Sequence, residues 1–271
     1  MRIGVVAPAR GIDRATADRA VDFAAMMAPN ARLVIHPQCL LSDGHFAGAD
    51  ADRAAAFIDI ANDPHIDAVW FARGGYGSNR IIPDVIGRLT DVAKAKTYLG
   101  YSDAGFLLAA LYARDIGRPV HGPMLADINR PGGEAAVARA LAWLTMGDRG
   151  TLEAGLDGRP HAAFNLTILA GLVGTPWLPD LTGHVLIIEE VAEPLYRIDR
   201  MLCQVARADQ LRGIAGVRLG RIEDIQPNDP IWGEDIATMI NRWCAEMGVP
   251  YLGTADVGHD AGNKIVPFGV T

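Results

Sequence analysis

Short β-branched runs and helix-period stretches alternate along the first half of the chain at nearly every step. Residues 2–7 (RIGVVA) read as a buried first strand that ends at Pro8. Over 12–28, Ala20, Phe23, Ala24 and Met27 recur at i, i+3, i+4 and i+7, the period of an amphipathic helix. Residues 31–36 read as a strand, 41–50 as a loop, 51–62 as an alanine-rich helix and 66–72 (IDAVWFA) as a strand. A glycine-rich turn and a helix follow, then an extended run over 97–101, a helix to about 114, and a short strand and turn over 119–124. Such alternation predicts a doubly wound α/β layer with a parallel sheet, whose sites lie at the carboxyl ends of the strands.

The texture changes after a helix over 134–145. Residues 147–161 are rich in glycine and charge and carry no period, which reads as a linker. The expected organisation is an N-terminal domain over 1–146, a linker over 147–164 and a second domain over 165–271. In the second part a small-residue helix begins at Asn165, and residues 184–188 (HVLII), 213–219, 251–254 and 265–270 read as strands. Helices are expected over 197–207 and 232–246.

At 271 residues the chain can bury a sizeable core. Its net charge of −7 and the lack of a basic block argue against nonspecific nucleic-acid binding. Cys39, Cys203 and Cys244 are odd in number and have no zinc-ligand spacing, so free thiols in a reducing compartment are expected. The N-terminal apolar run is too short for a signal segment, and no run approaches membrane-spanning length. A soluble cytoplasmic protein follows as the expectation.

Four stretches can carry chemistry. In Gly100-Tyr101-Ser102-Asp103-Ala104-Gly105 an extended run gives way abruptly to a helical one. A serine at such a turn either caps the helix or stands exposed as a nucleophile beside free N–H groups. Arg73-Gly74-Gly75-Tyr76-Gly77 lies between a strand and a helix. It can cradle a phosphate, supply an oxyanion donor, or be a tight turn that needs positive φ. Glu189 and Glu190 follow an apolar strand, with Glu193 close by; a carboxylate there can orient a histidine or be solvated. Alternate strand residues face opposite ways, so spacing leaves open which of Glu189 and Glu190 would face a histidine. Gly258-His259-Asp260 offers the base, with His121 as competitor. No histidine pair sits at metal-ligand spacing, so no metal is expected.

These motifs, in this order, resemble the serine LD-carboxypeptidase family, which includes muramoyltetrapeptide carboxypeptidases and the microcin C self-immunity proteins. The resemblance runs nearly end to end. It rests on Ile3-Gly-Val-Val-Ala-Pro8, Ala72-Arg-Gly-Gly-Tyr-Gly77, Gly100-Tyr-Ser-Asp103, Gly122-Pro-Met124, Asn165-Leu-Thr-Ile-Leu169 and Gly174-Thr-Pro176. It continues in Ile188-Glu-Glu190, the run from Glu193 to Arg200, Gly258-His259, Asn263 and Pro267-Phe-Gly269.

The resemblance implies that Ser102 is the nucleophile, His259 the general base and Glu189 the carboxylate of a catalytic triad. It implies that the backbone N–H groups of Gly75 and Asp103 form an oxyanion hole. The implied fold is an N-terminal domain like that of class I glutamine amidotransferases plus a smaller, β-rich C-terminal α/β domain, with the site in the cleft. Tyr76 and Asn165 are substrate-binding candidates. The implied activity is release of the terminal D-alanine of murein tetrapeptides during cell-wall recycling, by a cytoplasmic homodimer without cofactor. The alternative is an immunity-type hydrolase of aminoacyl adenylate analogues, with Tyr76 and Trp177 stacking an adenine; an inactive peptide-binding module is more remote. One departure stands out. The family often has a small polar residue and then a histidine in the helix after the serine, where this chain has Ala104-Gly-Phe-Leu-Leu-Ala109.

Overall fold

The computed structural model describes residues 1–270. Strands β1 (Arg2–Val6), β2 (Arg32–Ile35), β3 (Ala68–Phe71), β4 (Thr97–Gly100) and β5 (Arg118–His121) form a parallel sheet in the order β5-β4-β3-β1-β2. Helices α1 (Arg14–Met27), α2 (Asp50–Asn62), α3 (Ser78–Ile86), α4 (Asp91–Lys94) and α5 (Gly105–Tyr112) fill the connections. Strands β3 and β4 bury almost every side chain because helices cover both faces. Asp13 starts α1 by accepting a 2.8 Å hydrogen bond from Thr16 N. The fully buried Trp70 on β3 donates from its indole N–H to Pro123 O at 2.8 Å, which ties the turn after β5 to the sheet. In this strand order the chain reverses direction between β1 and β3, and a crevice opens above their carboxyl ends.

After helix α6 (Gly133–Met146) the chain builds a second parallel sheet in the order β6-β7-β8-β9. Its strands are β6 (His161–Asn165), β7 (Val185–Val191), β8 (Gly216–Glu223) and β9 (Tyr251–Thr254). Helices α7 (Leu166–Leu172), α8 (Leu195–Ala206) and α9 (Ile236–Met247) complete this layer.

Three elements depart from the sequence reading. The stretch expected to end a linker forms β6, a wholly buried strand paired with β7. Strand β7 runs on to Val191, so Glu189 and Glu190 lie within the strand rather than beyond it. The expected last strand shrinks to β10 (Val266–Pro267) and pairs antiparallel with β5 of the first sheet. Beyond it, His161 and Gly269 exchange two 2.9 Å backbone hydrogen bonds, so the tail joins the edges of both sheets. Each such bond contributes about 1 kcal/mol net.

Candidate active site

The turn after β4 shows how the serine is presented. Ser102 has φ of +57°, a conformation that L-residues other than glycine seldom adopt. Its side chain caps no helix, so the capping alternative is not the one adopted. Holding a non-glycine residue there costs about 1–3 kcal/mol, which the surrounding contacts must supply. They are visible. The Asp103 carboxylate accepts from Gly77 N at 3.1 Å and Ser78 N at 2.9 Å, and Ser78 Oγ donates to Asp103 O at 2.5 Å. This cross-brace locks the serine turn to the glycine-rich loop after β3.

That loop approaches so closely that a Cβ on Gly74 would stand 3.0 Å from Ser102 Oγ. Gly75 has φ of +121°, and a Cβ there would meet Arg10 Cγ and Cδ at 2.5 Å. Glycine is needed at both positions, for space at the first and for backbone conformation at the second. Among the described residues, neither the Gly75 nor the Asp103 backbone N–H donates to a protein acceptor. The Asp103 carboxyl is pushed up by burial, with hydrogen bonding from Ser78 and Gly77 and the Arg53 charge opposing.

The opposite wall comes from the second layer. His259 Nδ1 lies 2.7 Å from Glu189 Oε2, and Glu189 is fully buried. Alternation along β7 sends Glu190 to the other face. There it accepts from Asn165 Nδ2, Thr167 N and Thr167 Oγ1, at 2.8, 2.8 and 2.7 Å. The structure thus pairs Glu189, and not its neighbour, with the histidine. His259 N donates to Glu223 Oε2 at 2.7 Å, and Arg130 donates to His259 O. The Tyr101 ring packs on the imidazole with centroids 4.9 Å apart. Burial pulls the His259 ring down, but the Glu189 charge and its hydrogen bond act against it, and the net shift is upward. His121, the competitor, is buried against Asn263 and pushed down to about 4 by burial. It stays neutral and does not line the cavity.

Ser102, Gly74, Gly75, Tyr101 and His259 share one cavity of about 470 Å³ over the carboxyl ends of β1, β3 and β4. Among the described residues no hydrogen bond joins Ser102 Oγ to the imidazole, and unliganded sites often hold such pairs apart. Two candidates are not brought to this cavity. Asn165 is buried as the N-cap of α7, accepting from Ile168 N at 3.3 Å. Tyr76 is half exposed and packs with Phe46 outside the cavity lining. Trp177 also lies away from it, under the Arg114 guanidinium. The sequence reading passed over Arg10, Arg73 and Arg130, which line the cavity. It also passed over Asp127, which accepts from Tyr101 Oη and Arg130 Nε at 3.0 Å each. Loop arginines carry no periodicity, so the only available signal was the position of Arg73 beside the glycine pair.

A serine forced out of its turn, opposite an imidazole paired with a buried carboxylate, is suited to acyl transfer through a serine ester. The class these layers and groups define is that of the α/β serine hydrolases. Comparison with known proteins narrows it. Residues 3–122 match the LD-carboxypeptidase N-terminal domain, and residues 162–271 the LD-carboxypeptidase C-terminal domain. An inferred carboxypeptidase of Streptomyces coelicolor is 34% identical over 235 residues, 83% of this chain and 74% of that protein. The murein tetrapeptide carboxypeptidase of Pseudomonas aeruginosa is 28% identical over 248 residues, 84% of this chain and 78% of that protein. The crystal structure of muramoyltetrapeptide carboxypeptidase from Oxalobacter formigenes superposes with a TM-score of 0.82 at 23% identity, covering 98% of this chain and 93% of that one. The chain belongs to the LD-carboxypeptidase family and is a serine-type carboxypeptidase.

Proposed function

We propose that this chain releases the terminal D-alanine of murein tetrapeptides, with Ser102 as nucleophile, His259 as general base and Glu189 as its orienting carboxylate. The observation that carries this reading is the buried 2.7 Å Glu189–His259 pair, whose imidazole lines the same cavity as the positive-φ Ser102. His259 takes the Ser102 proton as the hydroxyl oxygen attacks the peptide carbonyl. Glu189 holds Nδ1 protonated and stabilises the imidazolium that forms. The Gly75 and Asp103 N–H groups receive the developing oxyanion, each worth roughly 3 kcal/mol. His259 then protonates the leaving amine, and water, deprotonated by the same ring, resolves the ester. The names of the Pseudomonas and Oxalobacter relatives support the murein substrate.

We further infer a cytoplasmic homodimer. The family resemblance supports the dimer, and the free thiols of Cys39, Cys203 and Cys244 support a reducing compartment.

The test compares D-alanine release from a murein tetrapeptide with hydrolysis of an aminoacyl-sulfamoyl adenylate. The expected result is tetrapeptide turnover that Ser102→Ala abolishes. Turnover of the adenylate alone would transfer the chain to the immunity-type reading.

A further inference from the structure

The cavity has a charge pattern that the triad does not use. The chain as a whole carries −7, yet three guanidinium groups, Arg10, Arg73 and Arg130, line this one cavity against the carboxylates Asp13 and Asp127. Arg130 is committed: it pairs with Asp127 at 3.0 Å and donates to His259 O. Asp127 is also occupied, by Tyr101 Oη and by Met124 N at 2.8 Å. Asp13 Oδ1 is taken by the cap of α1. Arg10 and Arg73 remain. Among the described residues neither forms an ion pair or a side-chain hydrogen bond. Both are open to solvent at the cavity.

Their placement is specific. Arg73 directly precedes Gly74, which lies against Ser102, and the Arg10 stem lies against Gly75. Two cations therefore flank the loop that touches the nucleophile. The Arg73 guanidinium is lowered by partial burial and then by the charges of Arg10 and Arg130, with the Asp13 charge opposing. Like charges gathered without a protein partner are relieved when an anion binds between them. A carboxylate suits two guanidinium forks, because each can donate two parallel N–H bonds to it.

We propose that Arg10 and Arg73 form the subsite that binds the C-terminal carboxylate of the leaving amino acid. The inference rests on the carboxypeptidase reading above and names what makes the site an exopeptidase: a free carboxylate one residue beyond the scissile carbonyl. A chain continuing past that residue would place an uncharged amide between the two arginines and leave both without a partner.

The test uses a tetrapeptide with a free C-terminal carboxylate and the same tetrapeptide with a C-terminal carboxamide. Turnover is measured in the wild-type protein, and binding is measured by calorimetry in the Ser102→Ala background. The wild-type protein is expected to prefer the acid in kcat/KM, and Ser102→Ala to prefer it in affinity. Arg73→Ala and Arg10→Ala should each lower that preference by about tenfold to a hundredfold, as expected for loss of a charge-assisted pair. The double variant should abolish it, and Arg73→Lys should restore only part. An acid preference that persists in the double variant would overturn the subsite, as would equal binding of acid and amide by Ser102→Ala. The two readings separate cleanly. Acid-selective binding that depends on the arginines without any turnover would sink the proposed reaction and leave the subsite standing. Ser102-dependent turnover indifferent to the arginines would do the reverse.

Discussion

Glu189→Gln isolates what the buried carboxylate does for His259. The change keeps shape and removes one charge from a fully buried side chain whose Oε2 lies 2.7 Å from Nδ1. With charge centres about 4 Å apart and an effective dielectric constant of about 20, the carboxylate stabilises an imidazolium by about 4 kcal/mol. That corresponds to about three decades in rate when the imidazolium exists only in the transition state. The expected loss in kcat is therefore about 10²- to 10³-fold. The pH profile gives an independent reading. The base must be neutral to act, and His259 stands above the ordinary histidine value of about 6.5 in the wild-type protein. Activity should rise with pH through a limb above that value. In Glu189→Gln burial acts on the ring without its largest opponent, so the limb should move to lower pH. Steady-state kinetics between pH 5 and 9, with thermal melting to check the fold, makes the measurement. A loss smaller than about tenfold, or a limb that stays put or moves up, would refute the reasoning.

Other outcomes follow from single contacts. Ser102→Gly removes the positive-φ strain, so it should raise stability by about 1 kcal/mol, a melting shift of about 2 °C, while abolishing turnover; a lower melting temperature would argue against a strained turn. Glu190→Ala should destabilise the fold by about 2–4 kcal/mol in urea titrations, because it leaves Asn165 Nδ2 and Thr167 N, both bonded to it, without acceptors. The surviving folded Glu190→Ala protein should show a smaller downward move of the pH limb than Glu189→Gln, since the Glu190 charge raises His259 less than the Glu189 charge and hydrogen bond do. Burial pushes the Cys39 thiol up to about 12 and Cys244 up to about 11. Alkylation of the native protein at pH 8 should therefore modify the half-buried Cys203 first, read by peptide mapping.

The first layer was legible in the sequence because its strands and helices alternate with clear periods and its special turns fall where strands end. The Ser102 stretch announced a sharp turn, though the spacing of its residues could not separate a cap from a strained nucleophile. Strand β6 was hidden because its run, His161-Ala-Ala-Phe-Asn165, is short and follows a glycine-rich segment. Strand β10 has two residues, and its partner β5 lies about 145 positions earlier in the chain, beyond any local signal. The choice between Glu189 and Glu190 depends on which face of β7 meets the cleft, and pairing with both neighbouring strands fixes that. The arginines around the cavity come from three separate loops, after β1, β3 and β5, so only folding brings them together.

The central claim is that Ser102 forms the covalent intermediate, driven by His259. Labelling with a serine-reactive fluorophosphonate, followed by peptide mapping and parallel D-alanine release, tests it most directly. One adduct is expected, on Ser102, formed more slowly in Glu189→Gln and absent from Ser102→Ala, with peptide turnover lost in step. D-alanine release that persists in Ser102→Ala would contradict the account.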